Sequence, residues 1–473
     1  MREPLFGLSA AGFRLEGGFN GPGEPSNQWG PLERAGMAPR GAAWSAAVQG
    51  AGVWAGPDRV LEVASAAGAG VLALSVEWAR IEPAPGRIDE AAADRYASIF
   101  ASAAARGITP VGVLCDISTP GWLGEEFWLT PGSPDRFAEH AGRLVARIGA
   151  SCRHWVTLRQ PNLVALKGWV EGRHPPRRVG AMADAWAVVD NLLAAHVLAY
   201  GAIHDAQPRA EVVFGLRASP SYDWHGLLAD LLCAPALGVE REEVDGWIDA
   251  RRTRHDAMVP PRDLGELAWR RLAAATSPFG VAGTGLRTLL RRPSPRRALD
   301  LVYHLASDRP RAATGAGSGA GTGAGAGSAA RSAAVSNGSA SPKGAAYPLD
   351  GLLVVWCPPE ARAVPPGWRA PPPWEGRPHP EELVARCREQ LRATPGVALW
   401  VEDGFATRGG VPRADGWDRR SYLSTHVAAA REVPVAAYLY YAPEGGGDPT
   451  FPDADFGLER ALAQVTSRRN VVK

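Results

Sequence analysis

Cysteine is scarce and scattered in this sequence. The chain has five cysteines among 473 residues, and no two of them form a Cys-x-x-Cys pair. Without such a pair or a cysteine–histidine cluster, the sequence indicates neither a zinc site nor a disulfide framework. We therefore expect no metal and a reducing, cytoplasmic location.

Long apolar runs and a basic leader segment are also lacking. No window approaches the roughly 18 uninterrupted apolar residues that suggest a membrane span. The N-terminal sequence MREPLFGLSAAG lacks the basic segment and long apolar run of a signal peptide. The sequence predicts neither a membrane segment nor a secretion signal.

Charge of one sign is not in excess either. The 51 Lys and Arg residues nearly balance 49 Asp and Glu residues, giving a formal net charge of +2. Such a balance gives no general attraction to nucleic acids or anionic membranes. The glycines at 315–327 neither follow a strand as GxGxxG nor precede GK[ST], which excludes a phosphate-binding loop. We expect no cofactor, no nucleic acid and no membrane partner.

What the chain does contain is a regular alternation of strand-like and helix-like segments. Short apolar runs separated by segments of helical period are typical of repeated βα units. Eight main strands are predicted, at 5–10, 71–78, 109–115, 154–158, 210–216, 298–305, 397–402 and 433–441, with the apolar run 349–356 set aside. The pattern predicts an α/β fold, one (β/α)8 TIM barrel over residues 1–473 with long active-site loops. Its active site would lie at the carboxyl ends of the strands.

A low-complexity segment interrupts this alternation at residues 312–346. It is rich in Gly, Ala and Ser, and it cannot bury enough apolar area to offset its ordering entropy. The βα pattern resumes after it. We therefore predict a flexible insertion within the barrel rather than a domain boundary.

One strand ends in a carboxylate that stands out. The run Leu399–Ala406 reads LWVEDGFA, so a short apolar strand ends at Glu402 and a glycine follows two residues later. At the carboxyl end of a barrel strand, Glu402 would face the active-site cavity.

Five segments, in order, resemble glycoside hydrolase family 1, the β-glucosidase family of retaining enzymes. The similar motifs are FGLSAAGFRLEGG (6–18), LSVEWARIEP (74–83), HWVTLRQP (154–161), WVEDGFA (400–406) and DRRSYLSTHVAAA (418–430). The order and rough spacing hold from residue 5 to about 458. The resemblance implies a (β/α)8 barrel and a β-glycoside or sugar-like ligand.

The resemblance also implies a pair of catalytic positions, of which only one keeps its glutamate. Such enzymes use one Glu as nucleophile and a second as acid/base. The nucleophile corresponds to Glu402, and the acid/base position corresponds to Gln160. An amide has no proton to give at neutral pH. Plant thioglucosidases of the family also carry Gln here, which points to a leaving group that departs without protonation.

The sugar-binding positions implied by the resemblance have changed as well. The family's Arg beside the nucleophile corresponds to Ala73. Substrate contacts are expected instead from the residues at the family's other sugar-binding positions, namely Arg14, Cys115, Arg159, Tyr441 and either Tyr303 or His304. Because two guanidiniums can hold a carboxylate or phosphate, an anionic ligand is one hypothesis for Arg14 and Arg159.

A replacement acid could come from another carboxylate near a predicted strand end. The candidates are Glu77, Asp116, Glu125, Glu126 and Glu171. We predict an atypical retaining glycosidase or transglycosidase for a glycoside with a good or non-sugar leaving group. The alternatives are an inactive relative that binds a sugar or acidic metabolite or serves as a partner subunit, and a barrel repurposed for a non-glycosidic reaction. The sequence leaves the oligomeric state open.

Overall fold

Eight parallel strands close into a barrel, in the order in which they occur along the chain. The structure, a computed structural model, describes residues 3–36, 52–261, 263–280, 296–308, 347–356, 378–405, 407–408, 411–441 and 454–455. The barrel strands are β1 (Leu5–Ala10), β2 (Val71–Ser75), β3 (Thr109–Cys115), β4 (His154–Leu158), β5 (Glu211–Arg217), β6 (Gly351–Val355), β7 (Ala398–Asp403) and β8 (Ala437–Tyr441). This confirms the predicted (β/α)8 fold.

The register of the strands brings their carboxyl ends to one face of the barrel. Strand β1 pairs with β8 from Leu5 opposite Ala437 onward and so closes the ring. On the other side, Val355 of β6 lies opposite Glu402 of β7. The face at which the strands end therefore collects the side chains that follow them.

The barrel interior is filled by small and branched residues together with one large ring. Trp400 and Leu439 pack there among valines and alanines from the other strands. A glycine makes room for Leu439, because a Cβ on Gly7 would stand only 2.7 Å from Leu439 Cδ2. The interior below the active-site face is a packed core.

Helices cover the outside of the barrel and extend its loops. Their bounds are Phe13–Glu16, Gly30–Arg34, Pro57–Ala66, Trp78–Ile81, Glu90–Ala105, Ser133–Ile148, Pro161–Ala165, Met182–Ala206, Gly226–Cys233, Val244–Met258, Leu264–Thr276, Arg297–Asp308, Pro380–Ala393 and Arg419–Arg431. Met182–Ala206 is long and apolar enough to cross a membrane by composition, but most of it is buried within the protein. A small two-stranded sheet pairs Thr407–Arg408 with Ala454–Asp455.

The predicted strand at 298–305 is wrong, and the set-aside run at 349–356 holds the true sixth strand. Residues 298–305 lie in the helix Arg297–Asp308. Leu299 and Val302 are buried while Asp300 and His304 are exposed, which is a helical rather than an alternating pattern. All five residues of β6 are buried, as a two-sided barrel strand requires.

The predicted insertion at 312–346 lies outside the described residues, so its flexibility stays a prediction. The strands on either side of it in the sequence, β5 and β6, are neighbours in the barrel from Val213 opposite Gly351 to Arg217 opposite Val355.

Candidate active site

Glu402 stands inside the active-site end of the barrel. It lies two residues after Trp400, whose ring fills the barrel interior, so the alternation of strand β7 points Glu402 to the same side. Its exposed fraction is 1%. A carboxylate this deeply buried needs a compensating charge.

Arg159 supplies that charge. Its Nε donates to Glu402 Oε2 at 3.0 Å, and its Nη2 donates to Glu402 Oε1. The third nitrogen, Nη1, donates to Asp116 Oδ1 at 3.0 Å. Burial alone would lower the pKa of the Arg159 guanidinium, but the charges of Glu402 and Asp116 outweigh it and raise that pKa well above its usual value. One guanidinium thus links the two carboxylates.

The backbone of Arg159 is fixed by the two strands beside it. Its N–H donates to the carbonyl oxygen of Cys115 at 2.9 Å. On the other side, a Cβ on Gly215 would stand 2.3 Å from the Arg159 carbonyl oxygen. Only a glycine leaves enough space for strand β5 to approach this closely. The position of the guanidinium therefore depends on Gly215.

Gln160 is held at both ends of its amide. Its Nε2 donates to Asp116 Oδ1 at 2.9 Å, and its Oε1 accepts from Arg217 Nη1 at 3.2 Å. The residue is buried. Because the amide carries no acidic proton, these contacts fix its orientation without giving it acid/base chemistry.

Tyr441 and Arg14 lie on the same side of the site as Arg159. The Arg159 guanidinium stands 4.8 Å from the centroid of the Tyr441 ring. Burial raises the pKa of the Tyr441 hydroxyl to about 12, while the charges of Arg14 and Arg159 oppose that rise. The structure thus brings together four of the predicted ligand contacts and catalytic positions on one face, Glu402, Gln160, Arg159 and Tyr441, with Arg14 close enough to act on Tyr441.

Cys115 contributes to the site through its backbone carbonyl group, which accepts from Arg159, more than through its thiol. Its thiol is buried and donates to the Ser118 carbonyl oxygen at 3.6 Å. Burial, followed by the charges of Glu77 and Asp116, raises the pKa of that thiol well above its usual value. A buried, protonated thiol is a poor nucleophile.

The structure does not bring Tyr303 and His304 to this face. Both lie in the helix Arg297–Asp308, not at the end of a strand. Tyr303 donates its hydroxyl to the Val239 carbonyl oxygen at 2.5 Å, and His304 is exposed. Their expected substrate contact depended on the strand at 298–305 and is corrected together with it.

The carboxylates considered as replacement acids have different surroundings. Glu126 pairs with Arg178 at the surface, and Glu171 pairs with Lys167 and Arg173 in a loop. Glu125, which is half-buried, lies in the loop after β3.

Glu77, which follows β2, is buried and accepts from Ser118 Oγ at 2.6 Å. Burial raises its pKa to about 8, with further contributions from the charges of Glu16 and Asp116. Of the five carboxylates, only Asp116 contacts both Gln160 and the guanidinium on Glu402.

Sequence reasoning missed Arg217. It is the last residue of β5 and lies in the same inward-facing row as Val213 and Gly215. The predicted strand AEVVFGL, at 210–216, ends one residue earlier. Extending its alternation by one residue gives the signal that identifies Arg217 as a site residue.

The fold and the site define a class of protein. A closed (β/α)8 barrel that gathers buried carboxylates and guanidiniums at the carboxyl ends of its strands is built like an enzyme of the TIM-barrel type. Comparison with known proteins then finds a family that the first half of the chain resembles. Residues 2–234 match the model of Glycosyl hydrolase family 1.

Named relatives agree with this match. Beta-glucosidase A of Thermotoga maritima is 28% identical over 207 residues, covering 41% of this chain and 44% of the relative. Beta-glucosidase 6 of Oryza sativa subsp. japonica is 29% identical over 120 residues, covering 25% of this chain and 23% of the relative. These alignments span less than half the length of the relatives.

Solved structures extend the likeness to the whole barrel. The β-glucosidase from Thermotoga maritima in complex with castanospermine superposes with a TM-score of 0.65 at 16% identity, covering 97% of this chain and 92% of that one. At this identity the likeness concerns the fold. Together with the match over residues 2–234, these findings make the chain similar to glycosyl hydrolase family 1, with the barrel fold of its β-glucosidases.

Proposed function

We propose that this chain is an atypical β-glycosidase, a retaining glycosidase or transglycosidase acting on a glycoside whose leaving group departs without protonation. The observation that carries the proposal is the contrast between two positions in one buried site. Glu402 keeps a carboxylate at the end of β7, whereas Gln160 presents an amide that is already hydrogen-bonded at both ends. A nucleophile without an acid suits an activated substrate.

In this proposal, attack by Glu402 begins with a change in its pairing to Arg159. Both carboxylate oxygens accept from the guanidinium. One of these two hydrogen bonds must therefore open before its oxygen can attack a bound sugar. The other contact then stays as a guanidinium beside the nucleophile. The resemblance places such an Arg on strand β2, where this chain has Ala73. Arg159, which follows β4, would supply the guanidinium that β2 lacks at Ala73.

Gln160 would contact the leaving group rather than protonate it. An amide donor can hydrogen-bond the departing oxygen or sulfur, but it cannot transfer a proton at neutral pH. The departing anion must therefore be stable by itself. We include a thioglycoside or a glycoside of an acidic aglycone among the substrates proposed.

A negatively charged ligand belongs to the same proposal. Arg159, Arg217 and Arg14 surround the site at positions where the family resemblance implies neutral sugar contacts or none. Guanidiniums suit a carboxylate or phosphate in bidentate geometry. A uronic acid or a sugar phosphate is the ligand class that this support favours.

One observation favours a second function, a barrel that binds a sugar-like or acidic ligand without cleaving it. Both oxygens of the Glu402 carboxylate accept from Arg159, and a carboxylate held by a guanidinium is a weaker nucleophile than a free one. The castanospermine bound by the Thermotoga maritima relative is a suitable probe for such binding.

A leaving-group series separates the two functions. Turnover of 2,4-dinitrophenyl, 4-nitrophenyl and methyl β-glycosides, prepared as glucosides, galactosides and glucuronides, is measured with the wild type and Glu402→Gln. The glycosidase proposal predicts turnover of the dinitrophenyl compounds, a steep fall along the series and loss in Glu402→Gln. Glu432→Gln, on the surface at a helix end, is the matched control. No turnover of any member, with a thermal shift by castanospermine, would favour the binding function instead.

A further inference from the structure

Because position 160 carries an amide in place of the acid/base glutamate, the site needs a base from another residue. This inference builds on the proposed function, because it concerns the step in which water releases the sugar from Glu402. In a retaining mechanism that step needs a base to accept the proton of the attacking water. Gln160 cannot be that base, and Glu402 itself is consumed as the ester.

The described carboxylates around the active-site face differ in what they contact. Glu126 and Glu171 are paired with cations away from residue 160. Glu77 accepts from Ser118 Oγ at 2.6 Å instead. Asp116 instead contacts both Gln160 and the guanidinium that holds Glu402. Its Oδ1 accepts from Gln160 Nε2 at 2.9 Å and from Arg159 Nη1 at 3.0 Å.

The second oxygen of Asp116 is left for another partner. Among the described residues none donates a hydrogen bond to Oδ2, and this oxygen lies next to Gly12. A Cβ at Gly12 would stand only 3.0 Å from Oδ2, and Gly12 has a φ of 115°, where side chains are rarely tolerated. With glycine at position 12, no side chain crowds Oδ2 from that direction.

The shared guanidinium suits Asp116 to the second step in particular. While Glu402 is a carboxylate, Arg159 balances two negative charges. Once Glu402 becomes a neutral ester, the guanidinium has Asp116 as its one remaining charged partner in this pair of contacts. The negative charge on Asp116 is thus balanced at the stage where a base is needed.

We propose that Asp116 is the general base of deglycosylation, in place of the residue at position 160. Asp116 removes one proton from water, and the water oxygen forms a bond to the anomeric carbon. The bond between that carbon and Glu402 breaks, and its electron pair returns to the Glu402 carboxylate. The sugar leaves as the free hemiacetal, and protonated Asp116 returns its proton to solvent.

The test separates the two chemical steps in the full-length protein. Labelling by 2,4-dinitrophenyl 2-deoxy-2-fluoro-β-glycosides, followed by intact mass, reports glycosylation alone. Steady-state turnover of the unfluorinated dinitrophenyl glycoside reports both steps. Asp116→Asn is expected to label at a rate within about threefold of the wild type, while its kcat falls about 100-fold or more. A burst of dinitrophenolate should precede the slow phase.

Azide identifies a missing base, as opposed to a distorted site. It needs no deprotonation, so it should restore turnover of Asp116→Asn and yield the β-glycosyl azide. Glu77→Gln is the matched control, and neither its kcat nor its azide response should resemble those of Asp116→Asn. In Asp116→Asn/Gln160→Glu, the carboxylate returned to position 160 should restore turnover without azide.

The outcomes are distinguishable. If the wild type forms an adduct but Asp116→Asn turns over within about twofold of it, or falls without azide rescue, Asp116 is not the base while the glycosidase proposal stands. If the wild type forms no adduct with any sugar, both proposals fall.

Discussion

The guanidinium of Arg159 donates to both carboxylate oxygens of Glu402, although the two residues are 243 positions apart in the chain. The contact joins the carboxyl ends of strands β4 and β7 across the barrel. It also links Glu402 to Asp116 through the third nitrogen of the same group. The chemistry proposed for this site, and much of its local stability, depends on this one side chain.

Arg159→Met should strongly destabilise the protein. The substitution leaves Glu402 and Asp116 buried without their shared cation, and the loss of one partner from a buried ion pair costs about 3–5 kcal/mol. Urea unfolding at pH 7 measures the change. Arg178→Met removes a half-exposed surface pair with Glu126 and should cost under about 1 kcal/mol. Equal effects of the two substitutions would contradict the role given to Arg159.

Glu77 should make stability depend on pH between its two pKa values. Burial and the charges of Glu16 and Asp116 raise its pKa from 4.5 to about 8 in the folded protein. The folded state therefore holds the proton more tightly than the unfolded chain, so the stabilisation is full below about pH 4.5 and is lost as the pH rises through about 8. The total is at most on the order of 5 kcal/mol.

Glu77→Gln should remove that dependence while keeping an acceptor for Ser118. The free energy of unfolding is measured by urea titration at pH 5, 6.5 and 8 for wild type and variant. The difference between the two proteins should change steadily over this range. Parallel curves would mean that Glu77 titrates normally.

Gly215→Ala should disturb the site through the backbone. A methyl group there would stand 2.3 Å from the Arg159 carbonyl oxygen and 2.7 Å from its carbonyl carbon, and overpacking of this kind costs about 1–3 kcal/mol. The matched control is Gly201→Ala in the helix Met182–Ala206, where the added carbon meets nothing within 4 Å beyond the adjacent backbone of its own helix. That change should stabilise by about 0.4–1 kcal/mol. Melting temperatures that move in the same direction would refute the packing argument.

Gln160→Glu should widen the range of substrates. It places an ionisable carboxyl beside Asp116, which accepts from Gln160 at 2.9 Å, and a neighbouring like charge favours the protonated form that a general acid needs. We expect kcat/KM for methyl and 4-nitrophenyl glycosides to rise about 100-fold, with little change for dinitrophenyl compounds. An unchanged leaving-group dependence would show that position 160 no longer faces the scissile bond.

The sequence predicted the strands of the barrel better than the hydrogen bonds and ion pairs of its site. Seven of the eight predicted strands match barrel strands, because apolar runs separated by helical segments leave few other arrangements. The error at 298–305 arose because ALDLVYHL alternates enough to resemble a strand, although Leu299 and Val302 follow a helical period. The burial of β6 on both sides could not be distinguished from a core helix by its apolar run alone.

Individual side-chain partners were harder to predict. Motif order placed Glu402, Gln160 and Arg159 at strand ends on one face of the barrel, but it gave no sign that Arg159 would bridge Glu402 and Asp116. Such a contact is set by tertiary geometry, including the space left at Gly215. Arg217 was missed because its strand extends one residue beyond the predicted end.

The central claim is that Glu402 is a working nucleophile in a site without an acid. The most direct test incubates the protein with a 2,4-dinitrophenyl 2-deoxy-2-fluoro-β-glycoside, digests it and identifies the labelled peptide by mass. The account predicts one fluoroglycosyl group on the peptide that contains Glu402, with one dinitrophenolate released per protein, and no label in Glu402→Gln. Label on another residue, or none with glucose, galactose and glucuronic acid derivatives alike, would contradict it.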